Sequence, residues 1–211
     1  MTTPVEKMVR SFIAIPVPSE GIEALQEAVK SFEPEIGGFV RWVRPEGIHL
    51  TLKFMGDIPP GTVERVLKTL PPVAARFSPF KISLSGLGVF PNARRPRVLW
   101  AGLDGELEVL SALQLAIDDA LGELGLPKEQ RAFSPHLTLG RVRRDVPEGQ
   151  LRKIGEIVAG PISSRLSATG RTAELPAAPS WSADTVNLMR TELDPAGSRH
   201  YLVGSAPIGG E

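Results

Sequence analysis

Two stretches decide the reading of this chain: "HLTLKFMG" at 49–56 and "HLTLGRVR" at 136–143. The tetrapeptide His-Leu-Thr-Leu occurs twice, 87 positions apart, in 211 residues that contain three histidines. Alternate side chains of a strand face opposite ways. His49, Thr51 and Lys53 therefore fall on one face, and Leu50, Leu52 and Phe54 on the other, the core face. In the second stretch His136 and Thr138 share a face, with Leu137 and Leu139 behind them. Each strand presents one imidazole and one hydroxyl, two residues apart.

The repetition extends outward from the motif. "RSFIAI" (10–15) and "RVLWAG" (97–102) stand at the same offset and read as short apolar strands. Each is followed by a helical pattern. In 18–32 the pattern puts Ile22, Leu25 and Val29 on one face, with Ser19 as the expected N-cap. In 106–125 Leu107, Leu110, Leu113, Ile117, Leu121 and Leu124 keep helical spacing, and Gly125 marks the stop. Past the motifs, "PPGTVERVLKTL" (59–70) answers "PEGQLRKIGEIV" (147–158), and strands follow at 80–90 and 184–193.

The unit is thus strand, helix, His strand, helix, strand, used twice: repeat 1 at 9–90 and repeat 2 at 96–205. "PNARRP" (91–96) separates the copies, and about 160–180 reads as loop. The expected fold is α+β, one bilobal domain over 1–211. Its two pseudo-symmetric lobes are each a mostly antiparallel sheet with helices on its outer face. The His-x-Thr strands would face a central cleft.

Composition narrows the functions this fold can serve. Lys plus Arg and Asp plus Glu both number 24, so net charge is zero, which argues against a broad basic surface for long nucleic acid. A small phosphate pocket remains open, and 17 of the 24 basic residues are Arg, whose planar fork suits phosphate. With no Cys there is no disulfide, thiolate nucleophile or Cys-ligated zinc. The opening "MTTPVEKMVRSFIAIPVPSE" lacks a signal peptide's apolar run, and no stretch approaches a membrane span. A cytoplasmic monomer is expected.

Two imidazoles and two hydroxyls over one spot suit phosphoryl transfer without a metal. One His takes a proton from water and the other gives one to the leaving oxygen. The Thr hydroxyls donate to non-bridging phosphate oxygens. A strained cyclic diester fits. The residues alone leave open which His plays which role. A single such motif reads equally as a strand with a wet face, and two His without a carboxylate at ligand spacing make a thin metal set.

The paired motifs resemble the two-histidine phosphoesterase superfamily. "FIAIPVP", "RWVRPEGIHLTLKFMG", "GLGVFPNARRPRVLWAGL", "FSPHLTLGRV" and "VNLMRTEL" look most like its RNA 2′,3′-cyclic phosphodiesterase branch, the 2′-5′ RNA ligase-like proteins. The resemblance implies that His49 protonates the leaving 3′-oxygen and His136 activates water. Thr51 and Thr138 would bind the phosphate, the product would be a 2′-phosphate, and no cofactor or metal would be needed. The implied partner is RNA or a nucleotide with a 2′,3′-cyclic end. A non-catalytic RNA- or nucleotide-binding module and ligation by the reverse step are the alternatives.

Arg141 would point away from His136 by strict alternation, and reaches the phosphate only if the strand ends or bulges by Gly140. Arg94, Arg95 and Arg97 stand by an RNA entrance or a wet turn, and Arg143 and Arg144 at a solvated edge. Trp42 and Phe133 are candidates for base stacking or for core. His200, outside both motifs, is expected to be structural or exposed.

Overall fold

A computed structural model describes residues 7–159, 179–194 and 197–209. The expected loop at about 160–180 lies almost wholly outside the described residues. The described elements, in order, are β1 (Val9–Pro16), α1 (Ser19–Ile36), β2 (Val40–Trp42), β3 (His49–Ile58), α2 (Pro60–Ala74), β4 (Phe80–Phe90), β5 (Val98–Gly105), α3 (Leu107–Glu123), β6 (Leu137–Val142), α4 (Glu148–Ala159), β7 (Ser180–Ala183), β8 (Thr185–Asp194) and β9 (Gly197–Pro207). Short 3-10 turns at 37–39 and 45–47 flank β2. Among the described residues, no helix is long and apolar enough to cross a membrane.

The strands form one sheet, β7-β4-β5-β6-β3-β1-β8-β9, with β2 on β6, and every described pairing is antiparallel. This order is nearly a palindrome about the β6–β3 junction. β6 and β3 are the two His strands, flanked by β5 and β1, then by β4 and β8. Among the described residues, the two halves of the sheet meet where Leu50 pairs with Leu137.

The lobes and the sequence copies do not coincide. β4, the last strand of the first copy, lies against β5 of the second, and β8, from the second, lies against β1 of the first. The helices exchange too. α2 packs with α3 beneath β1, β3, β8 and β9, whereas α1 packs with α4, and its Gly21 lies against Trp181 of β7. Each lobe therefore takes a helix and outer strands from the other copy.

Side-chain pattern accounts for most of these elements. Helices cover one face of the sheet, where Ile13, Ile15, Leu50, Leu52, Leu99, Leu137, Leu139, Val186 and Leu188 are buried in one continuous core. α3 stops where expected, because Gly125 takes a φ of +85° that costs a residue with a Cβ more. Ser19 is not the N-cap of α1. Pro18 holds that place, and the Ser19 hydroxyl bonds the Glu20 carboxylate. α1 also runs past 32 to Ile36, and α2 past 70 to Ala74.

Strict alternation fails in both His strands at the same place. On β3, Thr51 pairs with Ala14 and Lys53 with Ile13, so Leu52 is a bulged residue with no partner on β1. Its carbonyl accepts instead from the buried Gln114 amide of α3, at 3.3 Å. Beyond the bulge Lys53 turns into the core and Phe54 comes out, half exposed. Both places are the reverse of the sequence expectation. On β6, Thr138 pairs with Trp100 and Gly140 with Leu99, leaving Leu139 as the bulged residue. Its carbonyl accepts from the Val43 amide at 2.8 Å.

Candidate active site

The site is built around the Leu50–Leu137 pair. Both side chains are buried on the helix side, at 1% and 0% exposure, so their neighbours face the opposite, open side. Antiparallel succession sets Thr51 beside His136 and His49 beside Thr138. A pseudo-two-fold axis runs through the Leu pair, with the imidazoles on opposite sides of it. The structure thus brings together the four residues read from the motifs.

Each imidazole rests on a phenylalanine. Phe12 of β1 stacks on His49 with centroids 4.4 Å apart and planes 25° apart. Phe90 of β4 meets His136 edge-on at 5.1 Å, and Phe90 leans against Trp100, also at 5.1 Å. Trp100 can lie there because residue 88 is Gly; a Cβ at that position would stand 2.2 Å from the indole ring.

The two imidazoles differ electrically. The His136 Nδ1–H donates to the Ser134 carbonyl at 2.8 Å. That bond fixes the tautomer and leaves the Nε2 lone pair free to take a proton. His49 has a similar backbone bond, to Gly47, which favours its protonated form. Burial outweighs that bond, and the charge of His200 adds to the effect of burial. Together they bring the His49 imidazole down from 6.5 to about 4.

His200 is the residue that sequence reasoning left outside the site. It lies 5.2 Å from His49 and 5.0 Å from Phe12, perpendicular to both rings. Its Nδ1 is 3.0 Å from the Thr191 hydroxyl across the β8–β9 ladder, and burial lowers its own proton affinity. An offset of 87 from His200 lands on Leu113, so the repeat gave no hint of it. The available signals were the scarcity of His and the strand-like run "RHYLVG".

Arg141 lies beyond the bulge that its place in the site requires. The Leu139 bulge restores it to the face of Thr138, pairing it with Val98. Arg41 of β2, which sequence reasoning passed over, stands directly opposite Arg141. Like charges so placed repel unless an anion joins them. Arg141, Arg97 and Arg144 line an open groove of about 510 Å³. Arg94 and Arg95 lie outside it in an exposed turn held by Asn92, and Arg143 is exposed at the end of β6. Trp42 and Phe133 pack partly buried against the core. A second groove, about 370 Å³, lies between Arg44, Glu46, Gly47, Arg199, His200 and Tyr201. Among the described residues no three His, Asp or Glu side chains gather as a metal set.

Known proteins resemble this chain in sequence and in fold. The family model described as "LigT like Phosphoesterase" matches residues 15–100 and 103–198. An RNA 2′,3′-cyclic phosphodiesterase of Methanothermobacter thermautotrophicus is 34% identical over 194 residues, covering 90% of this chain and 93% of its own length. One from Thermus thermophilus is 29% identical, over 96% and 91%. A crystal structure from Thermus thermophilus superposes with a TM-score of 0.73 at 27% identity, over 96% of this chain and 99% of that one. Escherichia coli LigT in its apo form, at 20% identity and TM-score 0.67, shares the fold. With two family matches that meet at residues 100 and 103, one on each copy of the repeat, the chain belongs to the LigT-like phosphoesterase family.

Proposed function

We propose that this protein hydrolyses 2′,3′-cyclic phosphate ends of RNA or nucleotides to 2′-phosphates by paired-histidine acid–base catalysis. The carrying observation is the antiparallel Leu50–Leu137 pair, which sets a His and a Thr from each strand about one axis. An in-line displacement at phosphorus needs its base and acid on opposite sides, and a pseudo-two-fold axis through the phosphate supplies that geometry.

His136 is the base. Its free Nε2 takes a proton from water as the water oxygen bonds to phosphorus. The phosphorus–O3′ bond breaks, and the proton on His49 goes to O3′, leaving the phosphate on O2′. Thr51 and Thr138 donate to the non-bridging oxygens, with Arg141 behind them. His49 is neutral in the empty cleft at neutral pH, and an arriving anionic phosphate raises its proton affinity. Acid, base and hydroxyls come from one chain, which supports action as a monomer without cofactor. The absence of Cys is compatible with the cytoplasm.

The test is incubation with a 2′,3′-cyclic-phosphate oligonucleotide in excess EDTA, identifying the phosphate position in the product. Undiminished conversion to 2′-phosphate is expected. Exclusive 3′-phosphate would overturn the direction of opening, and binding without turnover would favour the non-catalytic module. With a 5′-hydroxyl in place of water, the same groups join a 2′,3′-cyclic phosphate end to a 5′-hydroxyl end as a 2′-5′ bond, O3′ leaving with the proton from His49; microscopic reversibility also lets them reclose the ring. Assay with excess 5′-hydroxyl RNA reads that branch.

A further inference from the structure

His200 belongs to neither motif, yet it is fixed against the residue assigned as the acid. We propose that His200 is a positioning residue for His49: it walls the ring in beside Phe12, so that His49 takes its proton only when an anionic phosphate enters the cleft. The inference rests on the reading of His49 as acid.

The geometry is that of a box. Phe12 and His49 are near-parallel at 4.4 Å, and His200 stands beside that stack, 5.0 and 5.2 Å from its two members and close to perpendicular to each. Thr191 holds the His200 ring by its Nδ1, and the β8–β9 ladder pairs the two residues directly. Gly47, bonded to His49, lies 3.7 Å from the His200 ring, measured from where its Cβ would be. Water is thereby kept from one edge of His49, and a proton on His200 opposes one on His49.

Other groups near the His49 ring do not supply this effect. β1 gives uncharged Phe12 and Pro16, β6 gives Thr138 and, across the axis, His136, and β9 gives Arg199 and Tyr201 in the groove that His200 lines. The 43–48 segment gives Arg44 and Glu46 at the groove rim. Lys53 and Asp118 are turned away into the core. His200 is the side chain that presses on His49 by charge.

Binding a phosphate requires His49 to gain a proton from solvent, and that requirement weakens binding at neutral pH. Removing His200 should therefore tighten binding of a phosphate ligand, whereas a merely structural lesion would loosen it.

The experiment compares the whole wild-type protein with His200→Phe, which keeps a wall and removes the charge, and His200→Ala, which also admits water. The three histidines give three imidazole Cε1–H resonances, so His49 can be titrated directly by NMR without turnover. Its midpoint should move upward in Phe and further in Ala. At pH 7 His200 is itself largely uncharged, so affinity there for inorganic phosphate and for adenosine 2′-monophosphate should rise in Ala, about tenfold for each full pH unit of movement, and in Phe only at lower pH, where His200 takes up its own proton. Proton uptake on binding, from calorimetry in buffers of different ionisation enthalpy, should fall at pH 6. If Ala does not fold, the Phe variant decides alone. An unmoved His49 midpoint, or weaker phosphate binding in a folded variant, overturns the proposal. Loss of the acid role would appear separately, as a His49→Ala variant that turns over normally while the NMR shifts stand.

Discussion

His49 and His136 sit in identical tetrapeptides but not in identical surroundings, and the difference bears on what each does. His136 is pinned with its Nε2 free; His49 is half-buried, boxed and short of protons. Replacing either by Ala should lower turnover by roughly 10²–10⁴-fold, and the double variant should lose far less than the product, because both act in one step. A double-mutant cycle on a cyclic mononucleotide checks this, and cleanly multiplying losses would separate the two strands. Thr51→Val and Thr138→Val should each lower the rate by about one to two orders of magnitude, with shape retained, in the same assay. The His49 imidazole also links stability to pH. An unfolded chain binds a proton at about 6.5, but the folded site refuses it until about 4. The stabilisation is complete above 6.5 and is lost as pH falls through 4. His200 acts in the same sense. Urea midpoints measured from pH 7 to 4 should fall more steeply for wild type than for His49→Asn. The motif residues were legible because they repeat. His200 was not, because only long-range pairing of β1, β8 and β9 carries it to His49.

At the scale of elements, β3 and β6 each bulge at the residue after Thr, and the bulge resets the facing of every side chain beyond it. On β3 it sends Lys53 inward to the Asp118 carboxylate of α3 and the Pro127 carbonyl, while Asp118 also accepts the Glu129 amide from both oxygens, at 3.2 and 3.3 Å. The first His strand thus ties down the segment that leads into the second. Lys53→Met leaves a buried carboxylate alone and should cost about 3–5 kcal/mol in denaturant unfolding. Lys53→Met with Asp118→Leu should recover part of that loss, and a double variant as unstable as the single would count against the pair. Sequence alternation recovered β1, β3 and β5 and the helices. It could not see the β3 bulge, since nothing in "LTLK" says that Leu52 leaves the ladder for Gln114; on β6, Gly140 was the one hint of a bulge. β2 and β7 are too short for periodicity, and β9, "GSRHYLVGSAP", alternates poorly because it is an edge strand with one buried residue in eleven, so neither face is selected to be apolar throughout.

Across the whole molecule, the repeat was legible and its exchange of parts was not, because order along the chain does not specify which sheet edge a strand joins. Since each lobe contains elements of both copies, neither can unfold without disturbing the other's strands. We expect one cooperative transition. All three tryptophans lie on β2, β5 and β7, on the β6 side of the axis, so their fluorescence reports one lobe while far-UV circular dichroism reports both. Coincident urea curves are expected, and separated curves would show lobes that melt alone. The same exchange bears on ancestry. A single copy has one imidazole, one hydroxyl, and a first helix and last strand that belong under another body. Two such copies complete each other only by trading those pieces, as the protomers of a domain-swapped homodimer do. A gene duplicated and fused from such a homodimer would give this chain, and its active site would descend from a subunit interface.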